Sequence, residues 1–464
     1  MSHQVTFAAE PSTRQPESVL REVLRIALPL VVSTGTFSVV LFMDRTMLLW
    51  YDGASMSAAM AGGNLFWVCL CLPIGILSMT GAVISQHIGA NQEKQVGRLL
   101  WQGIWLSLLV SPFYFAFGTI APKLFSVTGQ AIDLIPLQAD YFRILMFGST
   151  GMLIETALSG FFSGTERTRV IMWVSLMSGL VNLILDSVLI FGFGPIADFG
   201  IHGAAVASVL SLWFKACCYA WLLTRRRTSD RYQILGGFGI DGKVLRRLLY
   251  FGFPAGLMHL VESGGFTAMM LRIGTFGDLP LRSTTMAINF NMVAFIPLVG
   301  LSIASSVLVG RHLIANGPAA AIKRVMVAVG IGLVYSSAWL IAYLFFGENL
   351  LEFYQLKTPD SDSIQAVVIA KTLLRFVSLY IMFDAVQLIL AGALRGAGDT
   401  WFVLLAGLTT SASAIGIGFT FEPSENQLYW WWYVLSGWIM TLAFVMILRF
   451  LQGRWKSMQM IETS

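Results

Sequence analysis

The chain has 464 residues, 56% of them hydrophobic and 12% charged, against the roughly 25% charged residues of a soluble globular domain, so a soluble fold is excluded. Its net charge of +5 does not mark a nucleic-acid partner, because the basic residues sit between apolar runs and form no stripe interleaved with aromatics. The four cysteines, Cys69, Cys71, Cys217 and Cys218, lie inside apolar runs without a histidine cluster, so they announce neither a disulfide framework nor a zinc site.

Residues Met1 to Leu20 are polar, contain Pro11 and Pro16, and lack an apolar segment ending in a small-residue cleavage site. No cleaved signal peptide is expected, and the first apolar run stays as a span. A membrane-crossing helix needs about 20 predominantly apolar residues. Such runs follow at 26–50, 58–84, 99–121, 138–162, 170–193 and 200–223, and then, beyond a basic segment from Thr224 to Arg247, at 248–271, 284–310, 322–346, 367–393, 401–421 and 429–450. Lipid demands that backbone groups be paired within the protein, and these runs are too long and uniformly apolar for barrel strands. The predicted fold class is therefore an all-α membrane protein of twelve transmembrane helices.

Cytoplasmic loops are enriched in Lys and Arg. With the N-terminus inside, 21 of the 30 basic residues fall on inner segments, among them Arg14, Arg21, Arg25, Arg225, Arg226, Arg227, Arg449, Arg454 and Lys456. The outer side receives Arg45, Lys123, Arg272, Arg282 and Lys357, while Arg143, Lys215, Lys371 and Arg375 lie within spans. Both termini are expected in the cytoplasm, with the chain in a bacterial-type inner membrane. The outer loops are acidic, with Glu348, Glu352, Asp360 and Asp362, and the run Tyr429-Trp430-Trp431-Trp432-Tyr433 fits an aromatic belt at an outer helix end.

The two halves repeat. Pro29, Gly75, His87 and Ala90-Asn91 match Pro254, Gly300, His312 and Ala315-Asn316 at an offset of 225, and Gly160, Gly164 and Thr168 match Gly392, Gly396 and Thr400 at 232. Six spans per copy is an even number, so the copies share one orientation, and an axis along the membrane normal with a cavity between them is expected. The domains then read as a cytoplasmic tail over 1–21, an N-lobe over 22–223, a basic linker over 224–247, a C-lobe over 248–451 and a cytoplasmic tail over 452–464. The shared Gly and Pro residues are read chiefly as packing and loop geometry.

A carboxylate at hydrocarbon depth costs at least a few kcal/mol unless it faces protein or water, so each one is a functional-site candidate. Asp44 lies 19 residues beyond Arg25 and Asp186 lies 17 beyond Arg169, which puts both roughly 26–28 Å from the inner surface. Asn182, one turn before Asp186, shares its face and adds an amide oxygen. Glu262, 15 residues past Arg247, and Asp384, 11 before Arg395, form a second depth-matched pair with Gln387 close by. The oxygens of Asp44, Asn182 and Asp186 suit Na⁺, and two close carboxylates equally suit a shared proton, so H⁺ and Na⁺ both stay open. Glu155 is a fifth intramembrane acid without an assigned partner. The 21 methionines and 33 phenylalanines serve mostly as lipid-facing bulk and in part as a pliable pocket for varied apolar ligands. No metal motif, nucleophile elbow or Gly-rich phosphate loop stands at a span end, so neither an enzyme nor a cofactor beyond the coupling ion is expected.

At this point the residues resemble a family. Ser85-Gln86-His87-Ile88-Gly89-Ala90-Asn91 after the second span and Leu394-Arg395-Gly396-Ala397-Gly398-Asp399-Thr400 closing the tenth are similar to recurring segments of the multidrug and toxic compound extrusion (MATE) transporters, and the likeness covers nearly the whole chain. It implies a V-shaped pair of six-helix bundles that exports drug-like organic cations through the lipid bilayer in exchange for H⁺ or Na⁺, with no obligate protein partner evident. Asp44, Asn182 and Asp186 then match the first-lobe cation site, with Ser208 where many members carry threonine. Glu262 and Asp384, with Gln387 beside them, match the second-lobe site of the NorM-like branch rather than the DinF-like one. Two loops depart from the family pattern, Ser163-Gly164-Thr165-Glu166-Arg167-Thr168 in place of Arg-Gly-x-Gly-x-Thr and Ile314-Ala315 in place of Gly-Ala, and gating or packing is where they are expected to tell. The competing reading is a flippase for a lipid-linked or amphiphilic metabolite, which an Arg-lined cavity would favour.

Overall fold

The structure is a computed structural model that describes residues 18–126, 134–195, 197–352 and 361–462. Most of the predicted N-terminal tail, with Arg14, lies outside the described residues, as do Lys357, Asp360 and the side chains of Arg227, Glu352 and Asp362. In the first half run α1 (Val19–Tyr51), α2 (Gly53–Gly89), α3 (Val96–Thr119), the short α4 (Ala121–Ser126), α5 (Ile135–Gly164), α6 (Thr168–Phe191) and α7 (Gly200–Leu223). The short α8 (Arg226–Tyr232) then leads to α9 (Gly242–Gly274), α10 (Asp278–Ala315), α11 (Pro318–Glu352), α12 (Ser361–Ala397), α13 (Thr400–Thr420) and α14 (Gln427–Gln452). Each of the twelve predicted spans falls on one long helix. Several helices start ahead of their apolar runs because side chains satisfy the free amides there. Ser18 accepts from Arg21 N at 3.3 Å, Asp52 from Ser55 N at 3.0 Å, and Asp241 from Lys243 N and Val244 N at 3.0 and 3.2 Å.

Among the described residues, eleven of these helices are long and apolar enough to cross a membrane. The twelfth, α9, falls short by composition, since Lys243, Arg246, Arg247, His259, Glu262 and Arg272 interrupt it. It packs within the same array, against α2 and α13.

The packing repeats helix for helix. In the first half α5 lies against α2, α3 and α7, and α6 against α1 and α7; in the second half α12 lies against α10, α11 and α14, and α13 against α9 and α14. The halves meet through α1 on α10 and α2 on α9. These are one crossing made twice. Gly75 leaves no room for a Cβ against the backbone of Gly256, nor Gly300 against Leu30 and Val31, and the offset of 225 carries Gly75 to Gly300 and Val31 to Gly256. Gly164 closes on Gly81 as Gly396 closes on Ser306. In lipid no hydrophobic force drives helices together, so close backbone approach at small residues supplies the packing.

The end of the array that holds Ser18, the α7–α9 connection and the C-terminal segment is closed. The connecting segment is clamped onto α3: Trp101 Nε1 donates to Ile234 O at 2.7 Å, Trp105 Nε1 to Phe238 O at 2.8 Å, and Gln102 bonds both Gly239 O and Asp241 N at 3.0 Å. Within the stretch 224–247 read as a basic linker, α9 is already under way at Gly242. Gln86, fully buried, donates to Gly396 O at 3.0 Å and accepts from Met460 N at 2.7 Å. Glu22 meets His312 and Arg324 at 2.9 and 2.7 Å, and Glu166 meets Arg311 at 2.5 Å. Glu166 stands at φ 59, and its counterpart at the offset of 232, Gly398, stands at φ 103. Glycine adopts this left-handed backbone freely, whereas another residue is strained there by about 1 kcal/mol. Glu166, one of the residues that depart from the family pattern, thus supplies a carboxylate that bridges the two halves, as Glu22 does.

Within the aromatic run burial is uneven, with Tyr433 exposed. Trp431 and Trp432 are buried, and the indole N–H groups of Trp430, Trp431 and Trp432 donate to Gly418 O, Glu422 Oε1 and Thr284 Oγ1 at 2.9, 3.1 and 3.3 Å. Their polar tips find protein acceptors, which lets the rings serve as core.

Candidate functional site

Asp44 on α1 and Asp186 on α6 come together at the level their depths predict, and both are buried. Their carboxyl groups lie close enough to act on each other. Between them stands Asn182, one turn along α6. Its nearest neighbours are carboxylate oxygens, which only accept, so the amide nitrogen faces them and donates to Asp44 Oδ1 at 2.9 Å and to Asp186 Oδ2 at 3.1 Å. The expectation that Asn182 offers its amide oxygen concerns a bound cation; between the two carboxylates alone the amide nitrogen is the better-matched group. Ser208 on α7 donates to Asp44 Oδ2 at 3.5 Å. Among the described residues no group of three or more His, Cys, Asp or Glu is gathered for a metal ion.

The second pair is looser. Glu262 on α9 and Asp384 on α12 lie within electrostatic reach of each other, and among the described residues no hydrogen bond joins them. Asp384 and Gln387, on one face of α12, are buried. The side chains of Glu262 and His259 are 35% and 34% exposed, with His259 Nδ1 3.8 Å from Glu262 Oε2. Both side chains thus stay about one-third exposed halfway along a helix packed on α2 and α13. Arg395 reaches toward the same place, close enough to act on Glu262 and His259, and donates to Ser302 Oγ at 3.1 Å.

The other ionisable residues within spans also find places. Lys215 Nζ pairs with Glu155 Oε1 at 2.8 Å and Arg143 with Asp140 at 2.9 Å, while Lys371 pairs with Glu348 instead of neutralising either acid pair.

The MatE family model matches residues 29–188 and 254–421, one stretch in each half, opening on the same Pro29 and Pro254 that open the repeat. The chain belongs to the MatE family. It is 27% identical over 402 residues to the "Probable multidrug resistance protein NorM" of Xanthomonas axonopodis pv. citri (strain 306), an alignment that spans 85% of each chain. Among solved structures it is similar to a MOP superfamily transporter from Pyrococcus furiosus Vc1 (DSM3638), with a TM-score of 0.87 at 18% identity over 95% of this chain and 97% of that one. The eukaryotic MATE transporter AtDTX14 gives 0.83 at 20% identity over 95% and 98%. At those identities the likeness concerns the fold. This MATE protein is accordingly a multi-pass membrane transporter of the efflux class.

Sequence reasoning on this MATE protein missed Tyr141, which α5 places within electrostatic reach of both Asp44 and Asp186, and it left Lys215 apart from Glu155. Neither relation has a local signal, because each joins residues of different helices. His259 did carry a signal, three residues before Glu262 and so on its face of the helix.

Proposed function

We propose that this MATE protein is a proton-coupled exporter of drug-like organic cations, of the NorM-like branch, in which inward H⁺ drives outward substrate by alternating access. The observation that carries the reading is the buried Asp44–Asp186 pair, two carboxyl groups side by side with Asn182 donating to both, an arrangement suited to one proton. Loss of that proton would leave two like charges in contact in a buried site, which favours a different packing of α1 on α6. Glu262, partly exposed and without a tight ion pair, gives a cationic substrate its counter-charge. Antiport follows when proton and substrate favour different conformations.

In this reading the halves are an N-lobe and a C-lobe about an axis along the membrane normal. The end that gathers both termini and most of the basic residues faces the cytoplasm of a bacterial-type inner membrane, and its closure belongs to an outward-open state.

The test is transport by purified protein in liposomes. A fluorescent lipophilic cation is expected to move against an imposed proton gradient and not with Na⁺ alone at equal pH on both sides. Movement with Na⁺ alone would transfer the coupling to Na⁺. Failure under both gradients, with folded protein and a broad dye panel, would reject antiport, and movement of a lipid-linked substrate instead would favour the flippase.

A further inference from the structure

Between the Asp44–Asp186 pair and the closed end, the first half holds a second buried acid for which the exchange scheme has no use. Glu155 on α5 bonds Lys215 on α7 at 2.8 Å, and the two side chains are 11% and 21% exposed. A buried ion pair is weak support for stability, since apolar residues of similar volume often do as well. Its position is more informative. Glu155 lies nine residues before the end of α5 at Gly164 and Lys215 eight before the end of α7 at Leu223, roughly 12–13 Å from the closed end, whereas Asp186, 18 residues past Thr168, stands roughly 27 Å away.

Buried hydroxyl groups fill the interval. On α6, Asn182, Ser178 and Ser175 descend from Asp186 on one face, all buried. Ser208 Oγ reaches Asp44 at 3.5 Å, Ser211 Oγ donates to Ser208 O at 2.8 Å, and Ser178 Oγ donates to Ser211 O at 2.9 Å. Lower down, Ser175 Oγ and Ser33 Oγ of α1 lie 2.7 Å apart. Tyr219, one turn beyond Lys215 and wholly buried, turns its hydroxyl toward Ser175, with Glu155 also beside it. Bridging water is the usual way such buried groups complete their hydrogen bonds.

We propose that Glu155, held by Lys215, is the inner proton acceptor of the first half. The proton leaving the Asp44–Asp186 pair travels inside the helix bundle, through the seam of serine hydroxyls, Tyr219 and intervening water, and exits to the closed end from Glu155, separately from the substrate opening at Glu262. An O–H bond breaks at the aspartate pair and one forms on Glu155; each intervening hydroxyl or water receives one proton and passes one on, and no electrons change hands. Lys215 keeps its charge throughout and holds the Glu155 carboxylate in place. The titratable groups around Glu155 are Lys215 and Tyr219 of α7, with Cys218 beside Tyr219. The proposal rests on the proton-coupled reading above.

Two transport modes in liposomes test it: net dye export driven by a proton gradient, and dye-for-dye exchange at equal pH, which needs no net proton release. Wild-type protein is expected to perform both. Glu155→Gln is expected to lose net export by about tenfold or more while exchange stays within about twofold, Glu155→Asp to recover part of the loss, and Lys215→Met to shift the pH of half-maximal export where Lys215→Arg does not. Full net export by Glu155→Gln overturns the relay. So does equal loss of both modes in protein that remains monodisperse, because it marks a structural pair. Wild-type export driven by Na⁺ and not by H⁺ removes the proton-coupled reading, and the relay with it, before any variant is made.

Discussion

In the first half, Asp44 and Asp186 are buried side by side and Asn182 donates to both, whereas in the second half Glu262 and Asp384 sense each other's charge and Glu262 stays about one-third exposed. The two pairs are not copies. At the repeat offsets of 225 and 232, Asp44 and Asp186 correspond to Met269 and Gly418, while Glu262 and Asp384 correspond to Phe37 and Met152. Duplication carried over the helix crossings and left each half to develop its own acids. A closed pair in one half and an open pair in the other suit different ligands, a proton in the first and a larger cation in the second.

The sharpest way to break this comparison is to remove one acid from each pair. Asp186→Asn is expected to reduce proton-driven export by about 100-fold or more, with expression and dye exchange retained, as read by dye efflux from liposomes. Glu262→Gln is expected instead to raise KM for a cationic dye by about tenfold with kcat nearly unchanged. Equal damage to proton coupling from both variants would erase the distinction between the sites.

A smaller effect separates the two loops that follow α5 and α12. Gly398→Glu places a side chain on a backbone with φ 103, where a Cβ would also meet Met460, and should lower stability by about 1–2 kcal/mol. Glu166→Gly relieves the equivalent strain and removes the pair with Arg311, so thermal unfolding in detergent should shift less than for Gly398→Glu. Smallest is a pH effect confined to the second half. Partial desolvation pushes the Glu422 carboxyl up, but hydrogen bonds from Arg272 and Trp431 outweigh it and hold the group below the usual glutamate range. Folding is therefore stabilised above the ordinary glutamate value of about 4.3, and that contribution is lost as pH falls through the lower folded value. A melting series across that acid range should show the loss in wild-type protein and a flatter curve in Glu422→Gln. The positions at the same offsets in the first half are Met47 and Ile190, which do not titrate.

Much of this was legible before the fold was known. The twelve long helices announce themselves because lipid requires long apolar runs, and the depths of Asp44 and Asp186 follow because helix rise is constant. The repeated glycines could be matched by position, yet their meaning as backbone crossings needed the partners Gly256 and Val31, which lie in the other half of the chain. α9 is the weakest span by composition because it carries His259 and Glu262, so the polarity that obscures it is also what makes it a candidate for function. Which members of the aromatic run are buried was not legible, because burial depends on which helices stand beside α14, and its neighbours supply acceptors for the indole N–H groups.

By itself, then, the sequence determined an all-α membrane chain, its duplication and the list of acids at hydrocarbon depth, since each follows from local composition, periodicity or rise per residue. Tertiary structure alone decided which acids touch. It joined Asp44 to Asp186, turned the Asn182 amide toward both, kept Glu262 open and gave Glu155 its lysine, because hydrogen bonds and ion pairs depend on distances between helices, and those are set by which small residues let two backbones approach.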